Sequence, residues 1–514
     1  MRIKYVIGLD IGTTSAKAVV FTTDGQVVSE HEIGYPTLHP HPSWVEQDPY
    51  VIEQAAISSI KIAIGKTTIQ PGEILSLGIS AAMHSLICID DSGRALTNSI
   101  TWADRRSMDQ VQELKGSTLG NNIYLSTGTP IHPMSPLLKL MWMKDTKNKA
   151  YEKSRKFLSI KEFLTYRWFK ETVIDFSIAA ATGMFNIHTL DWDDEALEMA
   201  GVTREQLSDP VPPTYVFKKI DAQVAKRMGI PTDLPVAIGA SDGPLANLGM
   251  GAIESGDSVI TIGTSGAIRQ MASSPKTDSK QEVFCYSVME DLWIFGGPTN
   301  NGGNVLHWLK EVLGEKEAAE AKEVQKEVYE LLTNLCQEIP PGSNGLLFLP
   351  FLYGERAPHW DGNAKGAYIG LTSEHGKAHL LRAGLEGVIY NLYQISEALN
   401  RLAGPTKTLY ASGGFSRSPL WLEILADVFG QDIHIPENHQ SSAWGAAWVS
   451  LLATKEVDSL QGIKDCIPMG KVIAPNPIHH ETYCQYYTVY RDLYRSLENS
   501  FHQLGAIGST GQSG

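Results

Sequence analysis

YVIGLDIGTTSAKAVVFTTDGQVVSEHEIG, residues 5–34, reads as three strands joined by two tight turns. Apolar and β-branched residues run up to Gly12-Thr13-Thr14 and resume after Ser15, and Asp24-Gly25 supplies a second hairpin turn between alternating apolar positions. The opening is therefore antiparallel. Its first turn places an acid, a glycine, three hydroxyls and a lysine between Asp10 and Lys17. A turn of this kind can aim the Gly12 backbone and the Thr13, Thr14 and Ser15 hydroxyls at a phosphate, with Lys17 adding charge and Asp10 holding Mg²⁺ through water. A hairpin that uses hydroxyls only to satisfy its own backbone has the same composition.

Further along, the pattern returns: LDIGTTS at Leu9 to Ser15 is echoed by ITIGTSG at Ile260 to Gly266, again behind a β-branched run. The repeat predicts a duplicated domain, with a boundary in the Gly-rich stretch Gly249 to Ser255. Domains are expected over 1–250 and 251–500, and a disordered tail of small polar residues over 501–514. Asp10 of the first copy corresponds to Thr261 of the second, so a metal-directed acid is expected in the first copy alone. Between the copies, helical and strand patterns alternate, as in VIEQAAISSIKIAIG followed by ILSLGISAA, which predicts α/β architecture with a mixed sheet flanked by helices. Leu381, Leu385, Val388, Leu392, Ile395, Leu399 and Leu402 recur at helical steps until Gly404-Pro405, predicting a core helix. GEKEAAEAKEVQKEVYELL is helical and charged on most faces, a solvated element. Gly65-Lys66-Thr67-Thr68 resembles the end of a Walker motif, but Ile60 stands where that motif needs glycine, and the segment closes an apolar helical pattern. It is read as structural.

The 514 residues exceed a single ordinary core. With 43 basic against 57 acidic side chains, the formal charge of -14 argues against nucleic acid or anionic lipid as a partner. Five scattered cysteines without a CxxC pair read as reduced thiols. No uninterrupted apolar run approaches membrane-spanning length and the N-terminus carries no leader pattern, so a cytoplasmic protein is expected.

Two hydroxyl-rich hairpins on duplicated domains resemble the actin-like, ribonuclease-H-like ATPase architecture, which implies a cleft between the domains. Four further stretches narrow the resemblance. TGTPIHPMSPLLKLMWMKD, with Lys139 and Trp142, is similar to the first signature of the FGGY carbohydrate kinases, departing at Thr146; GLLFLPFLYGERAPHWDGNAKGAYIGL is similar to the second; WVEQDP and RAGLEGVIY are also typical. The resemblance runs in order from the first strand to about Ser450. It implies ATP and Mg²⁺ as partners of the reaction, a sugar as acceptor, and a homodimer as the assembly.

Residue by residue, the resemblance places the general base at Asp242 in GASDGPLANLG, where a capping aspartate is the plainer reading. Substrate contacts fall on Met83 and His84 in Ala82-Met83-His84-Ser85, on Trp102, Asp104 and Arg106, and on His132 and Met134. Ala82, Ser85 and Ala103 depart from the family's glutamine, glycine and asparagine, which weakens the case for an uncharged ketopentose such as xylulose. AMHS, TWADRRS, TGTPIHPMSP and GASDGPLANLG together resemble the members that phosphorylate gluconate, with Arg106 the first candidate for the sugar carboxylate and His84 or His132 a helper. Nucleotide contacts fall on Gly263 and Thr264, on Gly303 and more weakly His307, and on Gly413, Gly414, Phe415 and Ser418. Rival readings are the same chemistry on xylulose, ribulose or glycerol, or a non-enzymatic actin-like ATP clamp.

Overall fold

In the computed structural model, which describes residues 4–437 and 440–510, β1 (Tyr5–Ile11), β2 (Ser15–Thr22) and β3 (Val27–Gly34) form the antiparallel meander expected of them. Gly25 closes the second turn by donating its N–H to the Thr22 carbonyl. The chain then enters α1 (Pro49–Gly65), where Asp48 caps the Tyr50 and Val51 amides and proline occupies the first turn, whose N–H groups have no acceptor within the helix. Ile52, Ala56, Ile60 and Ala63 bury one face of α1 against the sheet. Gly65 and Lys66 end that helix, with the Lys66 ammonium on the Glu30 carbonyl, so the Walker-like tetrapeptide is structural. β4 (Ile74–Ala81) returns parallel to β1 and β5 (Val236–Ala237) lies parallel to β4, giving the order β5-β4-β1-β2-β3.

This sheet belongs to the first of two compact units, which comprises Met1–Glu254, Met271–Ile294 and Gln440–Pro468. The opposite face of the sheet is covered by the helix Ser441–Ala453, whose sequence SSAWGAAW is small where it crosses the strands. A Cβ at Gly8 would fall 1.9 Å from the Ala443 carbonyl oxygen, and one at Gly78 1.9 Å from that of Ala446, so the approach is closer than any side chain permits. α2 (Asp242–Gly249) packs along the same helix, and Leu245, Leu248, Trp444 and Trp448 fill the core between them.

The second unit comprises Ser255–Gln270, Phe295–His439 and Met469–Gly514. β6 (Asp257–Ile262) pairs antiparallel with β7 (Gly266–Ala272), and β8 (Leu292–Thr299) follows. After α3 (Gly303–Leu313) and α4 (Lys377–Ala403), β9 (Thr408–Ser412) lies parallel to β6, and α5 (Pro419–Phe429) leads to β10 (Ile433–Pro436), parallel to β9. Within a seven-stranded sheet, the inner order β10-β9-β6-β7-β8 repeats the whole order β5-β4-β1-β2-β3 of the first, as the duplicated motif requires. Thr261 pairs with Ser412 as Asp10 pairs with Ser80, so the two positions correspond in register as well as in sequence.

All seven apolar positions counted along α4 are buried. The charged stretch GEKEAAEAKEVQKEVYELL forms two helices, Glu315–Val324 and Val328–Asn334, separated where Gln325 turns left-handed at φ 53. The expected disordered tail is corrected for most of its length: the last helix, Pro477–Thr510, continues through it, because Phe501 is buried and His502 reaches Asp361. Residues 511–514 lie outside the described residues. Among the described residues no helix is long and apolar enough to cross a membrane, and Cys88, Cys285 and Cys336 are buried free thiols.

Candidate active site

In the first unit the chemistry collects at the C-terminal ends of β1 and β4, where open α/β sheets place their ligands. Asp10, the last polar residue of β1, accepts a hydrogen bond from the Ser80 hydroxyl at 2.7 Å. Ala81 bridges in parallel to Ser241, so Asp242 follows one residue beyond the neighbouring strand line. The three positions make a short row of oxygen donors across the strand ends. Burial raises the Asp10 carboxyl to about 6, with the negative charge of Asp242 pushing the same way and Ser80 and Lys17 opposing. Asp242 opens α2 and accepts from the Gly243 N–H at 2.8 Å. The cap position of α2 is Ser241, without a side-chain cap hydrogen bond, so Asp242 stands at the first position of the helix and is not its capping residue.

The first hairpin is held from several sides. Gly12 donates its N–H to the Ser15 carbonyl at 2.9 Å, and the Thr14 carbonyl accepts from the Tyr35 N–H at 3.0 Å. Gln47, within the WVEQDP stretch, donates to the Thr13 carbonyl, and Trp102 donates its indole N–H to the Thr13 hydroxyl at 3.0 Å. The phosphate-type turn and the Trp102 segment are thus in direct contact. Ser15 and Lys17 both address Glu32 on β3, Lys17 through an ion pair of 3.1 Å. Both partners are partly exposed, so the pair is weak, and an incoming phosphate can compete for the ammonium.

The reading of Arg106 as partner of a substrate carboxylate is corrected by its surroundings. Its guanidinium donates to both oxygens of Asp104 at 2.8 Å and to Glu46 at 2.6 Å, lies 3.9 Å from the centre of the Trp44 ring, and also faces Trp142. The side chain is 4% exposed. Asp104 is equally committed, since it also accepts from the Val45 N–H. Both residues, with the signature Trp142, form a buried clamp that shapes the loop carrying Trp102.

Lys139, the signature lysine, serves as a second clamp. Its buried ammonium donates to the carbonyls of His84 and Thr101, the latter at 2.8 Å, and so ties the end of β4 to the Trp102 turn. Burial lowers this amine to about 7. His84 sits in the left-handed region at φ 67, rare for a side chain of its size, and its Nδ1 lies 2.8 Å from the Ala181 carbonyl, which fixes Nδ1 as the protonated nitrogen. Met83 and His84 are half-buried, whereas Met134 is buried in the core and is corrected from contact residue to packing residue. The His132 Nδ1 accepts from the Met134 N–H at 3.2 Å, a loop-closing bond.

In the second unit, Gly263 donates to the Ser265 carbonyl, a turn one residue tighter than that from Gly12 to Ser15. α3 begins directly on this hairpin: the Gly303 N–H donates to the Gly263 carbonyl at 2.8 Å and the Asn304 N–H to that of Thr264 at 3.0 Å. Gly413, at φ 110, ends β9 so close to β6 that a Cβ would meet the Ile262 carbonyl oxygen at 2.3 Å. Gly263 and Gly414 face open space, leaving room for a ligand to approach bare backbone. Phe415 is buried against Trp421, and Ser418 caps α5 through the Trp421 N–H, so these two are supports rather than lining. His307 is exposed and paired with Tyr329.

Sequence reasoning missed Ser80, Gln47 and a buried network of Lys161, Asp175 and Ser177 beside α2. The signal available for the network was Lys161, which with Glu162 opens a helix otherwise rich in aliphatic and aromatic residues, Ile160–Phe169. No group of three or more His, Cys, Asp or Glu able to hold a metal occurs among the described residues. The donors present fit a hard cation that keeps most of its waters and shares phosphate oxygens, because Asp10 offers a carboxylate whose raised pKa a cation would relieve.

The chain matches the N-terminal domain model of the FGGY family of carbohydrate kinases over residues 5–249 and the C-terminal domain model over residues 258–454. It is 43% identical over 505 residues to the gluconokinase of Bacillus subtilis (strain 168), covering 97% of each chain. Two solved structures from Lactobacillus acidophilus, a gluconate kinase and a ligand-bound xylulose kinase, each superpose with a TM-score of 0.92 at 35% identity, covering 98% of this chain and 100% of theirs. With both domain models matched in order and relatives aligned along almost the whole length, the chain belongs to the FGGY family of carbohydrate kinases.

Proposed function

We propose that the protein transfers the γ-phosphoryl group of ATP to the terminal hydroxyl of D-gluconate, giving ADP and 6-phosphogluconate. The observation that carries the substrate is the 43% identity to a gluconokinase along 97% of the chain. The substrate strand supports it. Ala82 and Ala103 stand where an uncharged ketose would be met by amide side chains, and Ser85 is committed to accepting the Ile160 N–H at 2.8 Å. With Arg106 spent on Asp104 and Glu46, His84 recognises the sugar carboxylate in this reading, assisted by His132.

Asp242 accepts the proton of the attacking hydroxyl while that oxygen bonds to the γ-phosphorus and the bond to the ADP oxygen breaks. In the first unit Thr13, Thr14 and Lys17 would hold phosphate oxygens and Asp10 would hold Mg²⁺; in the second, Thr264 would meet phosphate, and Gly303, Gly413 and Gly414 the rest of the nucleotide. The cation supplies charge neutralisation on the phosphate oxygens. The test is ADP release with Mg-ATP across gluconate, xylulose, ribulose and glycerol against a blank without sugar. Gluconate is expected to dominate. The xylulose reading, favoured by the equal likeness to a xylulose kinase structure, prevails if xylulose does.

A further inference from the structure

Three elements of the first unit converge on a single peptide group next to Asp242. The helix Ile160–Phe169 contributes Lys161, whose ammonium donates to the Ala240 carbonyl at 2.9 Å and to Asp175 Oδ2 at 2.8 Å. The strand Val173–Asp175 ends in that aspartate, which also caps the helix Phe176–Ala180 by accepting from the Ser177 and Ile178 amides at 3.1 Å. The Ser177 hydroxyl donates to Asp175 Oδ1 and accepts from the Ser241 N–H at 2.7 Å. The Ala240 carbonyl and the Ser241 N–H are the two ends of one planar peptide unit. It is therefore gripped at both ends by side chains that are themselves fully buried.

We propose that Lys161, Asp175 and Ser177 form a positioning unit that fixes the plane of the Ala240–Ser241 peptide and thereby aims the Asp242 carboxylate. The inference rests on the reading of Asp242 as proton acceptor. A buried ion pair is a poor source of stability, because the desolvation of both charges offsets their attraction. Here the charges do geometric work. Asp175 keeps the ammonium anchored, the ammonium holds the carbonyl, and Ser177 passes the same aspartate's hold to the N–H. With its plane fixed, the peptide sets where the chain leaves the strand line, and Asp242 is the next residue. Burial holds the Lys161 amine below the usual lysine range, opposed by the charges of Asp175, Glu162 and Asp242, so the ammonium is also part of the field in which Asp242 works.

The experiment compares kcat and KM for the preferred sugar and for Mg-ATP in Ser177→Ala, Lys161→Arg and Lys161→Met, with urea unfolding of each. Ser177→Ala removes one hydroxyl and retains the ion pair, so it reports even if Lys161→Met fails to fold. It is expected to lower kcat by about tenfold to a hundredfold while both KM values stay within about twofold, the cost of a misaimed group that binds nothing itself. Lys161→Arg is expected to recover more turnover than Lys161→Met. Adding Ser177→Ala to Asp242→Asn is expected to change the residual turnover no further. A folded Ser177→Ala with unchanged kcat, or one whose loss lies wholly in KM, overturns the positioning role. If Asp242→Asn itself keeps full turnover, the proton-acceptor reading falls and the inference falls with it; if Asp242→Asn is inactive and Ser177→Ala is fully active, the positioning role alone falls.

Discussion

Asp10 and Asp242 stand on either side of the end of β4, and the charge of Asp242 adds to the burial that raises the Asp10 carboxyl. Asp242→Asn is expected to lower kcat by about a hundredfold to ten-thousandfold, the usual worth of a positioned base, while ATP binding measured by calorimetry persists. Asp10→Asn acts differently. The folded carboxyl lies near 6 against an ordinary 3.8, so its ionised form costs the fold stability, a cost that sets in as pH rises from about 4 to about 6 and persists above. The asparagine variant without ligand is therefore expected to be more stable at pH 7 by about 1–3 kcal/mol in urea unfolding, and to lose Mg²⁺-dependent nucleotide binding. The same titration predicts that Mg²⁺-dependent nucleotide binding weakens as pH falls through about 6, because a proton and the cation compete for Asp10, and that the midpoint moves lower as Mg-ATP is raised. A pH series at subsaturating and at saturating Mg-ATP checks it. The hairpin chemistry around Asp10 was legible in the sequence because its residues are contiguous; Ser80, seventy positions away, was not, since only strand pairing brings it to the carboxylate.

Among the elements, the loop from Trp102 to Arg106 shows how a motif can be recognised and its physics misassigned. The aspartate and arginine follow from the resemblance to the family, but the guanidinium is consumed by Asp104, Glu46 and two indole faces. Arg106→Leu is accordingly expected to lower stability by about 3–5 kcal/mol, because it leaves two buried carboxylates without their cation, with the loss read in urea midpoints and expression yield before any sugar is added. A variant that unfolds normally and loses only gluconate affinity would restore the substrate-binding role. The glycine crossings are simpler. Gly8→Ala places a methyl 1.9 Å from the Ala443 carbonyl oxygen, so β1 and the helix Ser441–Ala453 must separate, a strain costing about 1–3 kcal/mol or more. The helices themselves were legible from periodicity, as α1 and α4 show, whereas the break at Gln325 depends on a local left-handed turn that periodicity does not report.

For the molecule as a whole, the last helix carries weight that its polar sequence conceals. Tyr483 donates to Glu386 and accepts from Arg382, both within α4, and Ser343 donates to the second oxygen of Glu386. Tyr483→Phe is expected to cost about 1–3 kcal/mol in urea unfolding, because two buried charged groups each lose a bond. The fold class and the duplication were determined by the sequence alone, since each hairpin announces itself through contiguous residues, whereas the parallel strands that complete each sheet arrive only after long excursions, β5 at Val236 and β9 at Thr408. The family's motifs likewise lie in contiguous stretches. Only the tertiary structure decided which side chains are spent and which remain for a ligand. Arg106 and Ser418 look like site residues in the sequence, and Lys139 and Ser85 fall within its motifs, yet each is committed to partners that chain folding alone assembles. The physical reason is the same throughout: secondary structure follows from local periodicity and turn chemistry, whereas the use of a polar side chain depends on which distant carbonyl or carboxylate must be satisfied once both are buried.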